Sequence, residues 1–127
     1  MSPPSLRHAI LFVVDVATMT AFYRDGLGLA VDQAASQPGW VVLDAGGAAL
    51  ALHAILPAVA ATISLTSPPA AREDTPIKLG FEVDDLEAAR ARLTAHGAIM
   101  QAPTSWGTCD GVDPEGNVLQ LVARRRS

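Results

Sequence analysis

Three histidines, one cysteine and one lysine are the side chains in this sequence best suited to chemistry. His8 sits in the alternating run LRHAILFVV, and His53 closes a second run, ALALHA. An imidazole can donate or accept a hydrogen bond, move a proton near neutral pH, or ligate a metal. Lys78 is the sole lysine; the other eight basic residues are arginines. A buried ammonium needs a partner, such as Glu82 further along the same run or a carboxylate on a ligand. Desolvated, it could serve as a base or nucleophile. Cys109 has no base beside it and reads as a buried, inert thiol. His96 precedes Gly97 at the end of a predicted helix, where a positive charge is favourable, and reads as structural. Trp40 and Trp106 each open a predicted strand and could stack on a flat ligand. The glycines of GLG and AGG lack the strand-loop-helix setting of a nucleotide loop and read as turns.

The elements that must position these groups occur twice. LRHAILFVVDVATMTAFYRDGLG, from residue 6, and PIKLGFEVDDLEAARARLTAHG, from residue 76, both run from an alternating stretch through Asp into a helical pattern that stops at Gly. The ends of the halves, DAGGAALALHA and DPEGNVLQLVA, align 69 residues apart, since 113 − 44 = 69. The starts align at that offset give or take one, with Phe12 on Phe81 and Gly28 on Gly97. Strands are predicted over 7–14, 29–34, 39–44 and 48–53, and again over 77–83, 98–103, 107–112 and 117–123. Helices are predicted over 16–25 and 85–96, with Asp15 and Asp84 as N-caps, Glu87 completing a capping box, and Gly26 and Gly97 as stops. Each half is then a βαβββ module. Module 1 covers about 6–54 and module 2 about 76–124. Residues 55–75 form a Pro-rich linker with one short helical turn.

Alternation assigns the faces. A helix must bury its apolar stripe (Val16, Met19 and Tyr23, or Leu86, Ala89 and Leu93) against one side of its sheet. Ala9, Leu11, Val13, Leu50 and Leu52 belong to that side in the first module, and Leu79, Phe81, Val83, Leu119 and Leu121 in the second. The opposite side carries His8, Ile10, Phe12, Ala51 and His53 in the first. In the second it carries Lys78, Gly80, Glu82, Gln120 and Val122. Sparse polar groups on an apolar lining are the composition of a small-molecule site.

Bulk properties narrow the partners. Half the residues are hydrophobic and 17% are charged, which supports a packed core within one small domain of two modules. A net charge of −4 argues against nucleic acid, and the run Arg124-Arg125-Arg126 reads as a solvated terminus. A single cysteine excludes an internal disulfide and suits a reducing compartment. No signal-peptide pattern and no membrane-length apolar run is present. The expectation is a soluble cytoplasmic protein.

HAILFVVDVATMTAFYRDGLG and VDPEGNVLQLV, together with the repeat, resemble the vicinal oxygen chelate superfamily, which includes glyoxalase I, extradiol dioxygenases, and fosfomycin- and bleomycin-resistance proteins. The resemblance spans nearly the whole chain. It implies an α+β fold in which tandem βαβββ modules form a cup-shaped, curved mixed sheet with helices outside, and it implies a homodimer. In metal-dependent members the ligands come from the first and last strands of each module. Those positions here are His8, Ala51, Lys78 and Gln120, of which only His8 is an ordinary ligand. His53 could substitute for Ala51, but a catalytic metal usually wants three protein ligands.

The expectation is therefore a binding protein with no cofactor that holds a small anionic or partly aromatic molecule. Its ligand-binding candidates are His8, Phe12, Trp40, His53, Lys78, Glu82, Trp106 and Gln120. One alternative is a lyase, isomerase or dioxygenase with one divalent metal on His8, His53 and Gln120. Another is a metal-free enzyme with Lys78 and His8 as catalytic residues. The resemblance does not choose among them, because one scaffold hosts many chemistries.

Overall fold

The structure, a computed structural model, describes residues 3–4, 6–72 and 77–124. The chain divides into two compact units, Met1–Ile63 and Ser64–Ser127. The first contains β1 (His8–Val13), α1 (Val16–Ala21) continuing as a π-helical turn (Phe22–Gly26), β2 (Ala30–Val31), β3 (Trp40–Asp44), β4 (Ala49–Ala54) and the short α2 (Pro57–Ala60). The second contains β5 (Leu79–Val83), α3 (Leu86–Ala95), β6 (Ile99–Met100), β7 (Thr108–Val112) and β8 (Val118–Ala123). Each unit forms one four-stranded mixed sheet, ordered β1-β4-β3-β2 and β5-β8-β7-β6, with the first strand parallel to the last. The α+β architecture and the βαβββ order agree with the sequence reading. The linker is divided between the units: α2 belongs to the first and residues 64–72 to the second. Residues 73–76 and Arg125 and Arg126 of the basic tail lie outside the described residues.

Core burial follows the assigned faces. Val13, Met19, Phe22, Tyr23, Leu43, Leu50 and Leu52 are buried in the first unit, and Leu93, Ala98, Cys109, Leu119 and Leu121 in the second. Asp15 caps α1 as expected, its carboxylate accepting from the Thr18 backbone N–H at 3.0 Å and the Thr18 hydroxyl at 2.8 Å. These bonds, the backbone one foremost, hold the Asp15 pKa below its ordinary value. In α3 the cap is Asp85 rather than Asp84: Asp85 accepts from Ala88 N–H at 3.0 Å, while Asp84 takes the Arg124 guanidinium at 2.8 Å. The N-cap thus lies one residue later than expected, and the Asp84–Glu87 capping box does not form, because the residue three after Asp85 is Ala88. Gly26 lies within the π-helical turn, and Gly28, with φ of 75°, makes the left-handed exit in its place.

The π-helical turn explains why the repeat aligns only to within one residue. Val16 to Ala30 spans 14 positions, whereas Leu86 to Ile99 spans 13. A π turn takes up one additional residue. Upstream of it equivalent residues stand 70 apart, as Val13 and Val83 do; in the last strands they stand 69 apart, as Ala54 and Ala123 do. In β3 and β7 they stand 68 apart, as Leu43 and Gly111 do, because the turn before β8 is one residue longer than the turn before β4. Phe12 therefore corresponds to Glu82 and not to Phe81, because a one-residue slip would reverse every face.

β2 and β6 are two residues long rather than the predicted six. In the first unit the Ser36 hydroxyl accepts from Val42 N–H at 3.0 Å, so a turn takes over the bonding of β3 beyond Asp32. In the second, the Gln101 carbonyl is held by Arg90 at 2.8 Å and the Cys109 thiol at 3.1 Å, which diverts the chain from β7. Among the described residues no helix is long and apolar enough to cross a membrane.

Candidate functional site

Each sheet has one face against its helix and one open face. On the first sheet, β1 contributes His8, Ile10 and Phe12 to the open face, β4 contributes Ala49, Ala51 and His53, and β3 contributes Trp40, Val42 and Asp44. Three ring contacts organise one end of it. Trp40 meets His8 edge-on, with centroids 5.7 Å apart and planes at 78°. It meets His53 at 5.7 Å and 70°. Phe12 meets His53 at 5.3 Å and 85°. His8 is in register with Ala49, and Trp40 with His53. Their rings can touch only across the position between, Ala51, which is fully buried. An alanine there lets the indole lie over β4. Phe12 remains 56% exposed and Ile10 41% exposed, so the cluster presents apolar surface outward. At the other end a hollow of about 330 Å³ is lined by Val42, Ala49, Asp32 and Asp44 among others. Both carboxylates are engaged in local turns, Asp32 with Ala35 N–H at 3.2 Å and Asp44 with Gly46 N–H at 3.0 Å.

The second sheet carries a polar arrangement. Gly80, Gln120 and Asp110 stand side by side across β5, β8 and β7. Lys78, just ahead of β5, donates from Nζ to Asp110 Oδ2 at 3.1 Å. Gln120 Nε2 donates to Asp110 Oδ1 at 3.0 Å. Lys78 thus has an acidic partner, but it is Asp110 and not Glu82. Glu82 accepts from the Arg124 guanidinium at 3.3 Å. Trp106 does not open a strand; it sits in the turn before β7 and is 78% exposed. Asp110 is the residue that sequence reasoning missed. Alternation in TCDGV is the signal that could have put it on the open face, but only the register with Gln120 selects it among the acids. Burial pushes the Cys109 thiol pKa up, which fits the expected inert thiol. His96 ends α3 as expected, its backbone N–H donating to the Arg92 and Leu93 carbonyls.

Of the positions that would carry a metal, Ala51 has no donor atom, while Lys78 and Gln120 are both committed to Asp110. A protonated amine repels a cation, and an amide offers at most a weak carbonyl ligand. Among the described residues no group of three or more His, Cys, Asp or Glu side chains is placed to hold a metal ion. This donor set does not fit a catalytic divalent ion.

Several solved structures share the fold. An enzyme of the glyoxalase/bleomycin resistance protein/dioxygenase family from Burkholderia phytofirmans PsJN is 24% identical with a TM-score of 0.73, over 94% of this chain and 98% of that one. TnmS3, an antibiotic binding protein from Streptomyces sp. CB03234, is 24% identical with a TM-score of 0.65, over 98% and 99%. The fosfomycin resistance protein FosX from Mesorhizobium loti is 13% identical with a TM-score of 0.70, over 98% and 95%. At these identities the likeness shows the fold alone. No curated protein matches the sequence. The family model for the Glyoxalase/Bleomycin resistance protein/Dioxygenase superfamily matches residues 5–121. With the duplicated βαβββ fold, this match shows that the chain belongs to that superfamily.

Proposed function

We propose that this chain is a metal-independent, small-molecule-binding member of the superfamily, and that it holds a partly aromatic ligand on the open face of its first sheet. The observation that carries this reading is the contact of Trp40 with both His8 and His53 above Ala51. It gathers the imidazole at one metal-ligand position and the imidazole nearest to Ala51 around an indole, which has no donor atom for a metal. The same cluster, extended by the exposed ring of Phe12, is a surface on which a flat molecule can pack edge-on or offset, with the imidazole nitrogens as hydrogen-bonding groups. One structural neighbour, TnmS3, is an antibiotic binding protein, which supports binding as a function this scaffold performs without implying the same ligand.

The test is calorimetric titration with planar aromatic carboxamides and carboxylates of one to three rings. At least one should bind saturably at one per chain. Trp40→Ala should then weaken it by about 1.5 kcal/mol, roughly tenfold. The reading is overturned if no member binds, or if Trp40→Ala binds as well as the parent. It is equally overturned if elemental analysis of the purified protein finds one transition metal per chain that His8→Ala loses.

A further inference from the structure

The polar arrangement on the second sheet specifies what kind of ligand group it can receive. Lys78 cannot be treated as a bare cation, because Asp110 lies 3.1 Å from its Nζ and the pair is internally neutral. Asp110 also settles the orientation of Gln120. An ionised carboxylate only accepts, so the Gln120 atom 3.0 Å from Asp110 Oδ1 must be the amide nitrogen. The carbonyl Oε1 is then directed the other way, toward β5. It lies 3.9 Å from the point where a Cβ on Gly80 would be. Among the described residues Oε1 accepts no hydrogen bond. Gly80 leaves the space above it open. Lys78 Nζ has donors beyond the one used on Asp110. The open face therefore offers the two remaining Lys78 N–H donors and the Gln120 Oε1 acceptor, both side chains anchored on the same carboxylate, with no net charge.

From this geometry we infer that Lys78 and Gln120 form a binding site for a neutral amide-type group, such as a carboxamide, lactam or urea. The ligand carbonyl accepts from Lys78 Nζ, and the ligand N–H donates to Gln120 Oε1. Asp110 is the positioning residue: it fixes the Gln120 amide and cancels the Lys78 charge. A carboxylate fits poorly, since its second oxygen would face Oε1 acceptor to acceptor and its charge would meet an already compensated ammonium. The inference goes beyond the first-sheet reading: it concerns the second sheet by itself, and it replaces the anionic ligand group expected there with a neutral one.

Paired titrations test it. Naphthalene-1-carboxamide and naphthalene-1-carboxylate share a ring system and differ in the polar group. Calorimetry measures their affinities. Acylation of Lys78 by an amine-selective reagent, followed by mass spectrometry, reports occupancy at this site; the α-amino group is the only other primary amine and serves as reference. The carboxamide should bind at least tenfold tighter and protect Lys78. In Gln120→Leu that advantage should vanish. In Asp110→Asn, which keeps side-chain shape but leaves the ammonium uncompensated, the order should reverse in favour of the carboxylate. A merely structural Asp110 would change both affinities alike. The inference falls if the carboxylate is preferred by the parent protein, or if the order is unchanged in Asp110→Asn. If the ligands bind in a Trp40-dependent way while Lys78 stays unprotected, the second-sheet site falls and the first-sheet reading survives. If neither binds, while another member of the aromatic panel does, the amide site falls alone.

Discussion

The open faces of the two sheets share a backbone and differ in almost every side chain. His8, Phe12, Ala51 and His53 of the first unit correspond by register to Lys78, Glu82, Gln120 and Val122 of the second. One set builds an aromatic cluster with Trp40, the other a hydrogen-bonded triad with Asp110. The helix-facing sets hardly differ: Leu50 and Leu52 correspond to Leu119 and Leu121, and all four are at most 2% exposed. A duplicated unit holds its fold with one face and is free to change the other. The cost of a substitution should therefore depend on the face it lies on, not on the unit.

The largest effect should come from the shared core. Leu52→Ala and Leu121→Ala each remove a fully buried side chain from the last strand of a unit. Each should cost about 2–5 kcal/mol in urea unfolding. Open-face substitutions such as Phe12→Ser should stay within roughly 1 kcal/mol, because the ring is more than half exposed. If Phe12→Ser costs as much as Leu52→Ala, the division of labour between faces is wrong.

A second pair sharpens the comparison where the units do differ. Gly47 and Gly116 lie 69 residues apart in the turns before the last strands, Gly116 with a positive φ and Gly47 without one. A Cβ on Gly47 would meet nothing within 4 Å. One on Gly116 would collide with the Ala70 carbonyl oxygen, at a φ of 81° that already disfavours a side chain. Residues 64–72 pack over this turn, and Arg72 donates to Asn117 Oδ1 at 2.9 Å. Gly116→Ala should cost on the order of 1–3 kcal/mol in thermal unfolding, and Gly47→Ala close to nothing. Equal costs would mean that segment 64–72 does not press on the turn.

The fold was legible because long, strongly patterned elements are governed by local rules. The alternation in HAILFVV and the last strands, the Asp15 cap and the turn glycines could all be read from neighbours in sequence. What escaped depended on partners distant in sequence. β2 and β6 stop early because Ser36 and Arg90 take over their hydrogen bonds. Asp84 and Asp85 are equally good caps by composition, and Arg124, 40 residues away, claims one of them. In the site, alternation identified the open-face residues, and Lys78, read as a buried ammonium in need of a carboxylate, is half exposed with a carboxylate beside it. Which carboxylate could not be read: Asp110 lies 32 residues away and is brought to Lys78 across β8. Trp106 was misread because a large aromatic beside Gly107 suits a turn as well as a strand start.

A smaller effect tests the element common to both units. Asp15→Ala removes the α1 cap and should cost about 1 kcal/mol at neutral pH. The folded-state pKa of Asp15 is lowered, so its contribution is complete above about pH 4 and fades as pH falls through the lowered value. The gap between parent and variant in thermal stability should close in strong acid. A gap that persists unchanged under those conditions would show that the carboxylate charge is not what the cap supplies.

The smallest effect on stability should come from Lys78→Met, which separates a ligand-recognition role for the lysine from a structural one. The Lys78 and Asp110 side chains are 43% and 41% exposed, and an ion pair that open to water is worth roughly 0–1 kcal/mol. Methionine keeps most of the apolar stem that crosses β8. Asp110 keeps its bond from Gln120 and can recruit water for the oxygen that Lys78 leaves. Urea unfolding of the variant should therefore match the parent within about 1 kcal/mol, with an unchanged m-value. Carboxamide binding should fall by about 1.5–3 kcal/mol, the range for a hydrogen bond to a charged group. A loss of several kcal/mol of stability would instead make the lysine a structural tie between β5 and β7. It would leave the second unit with no face that is free to change.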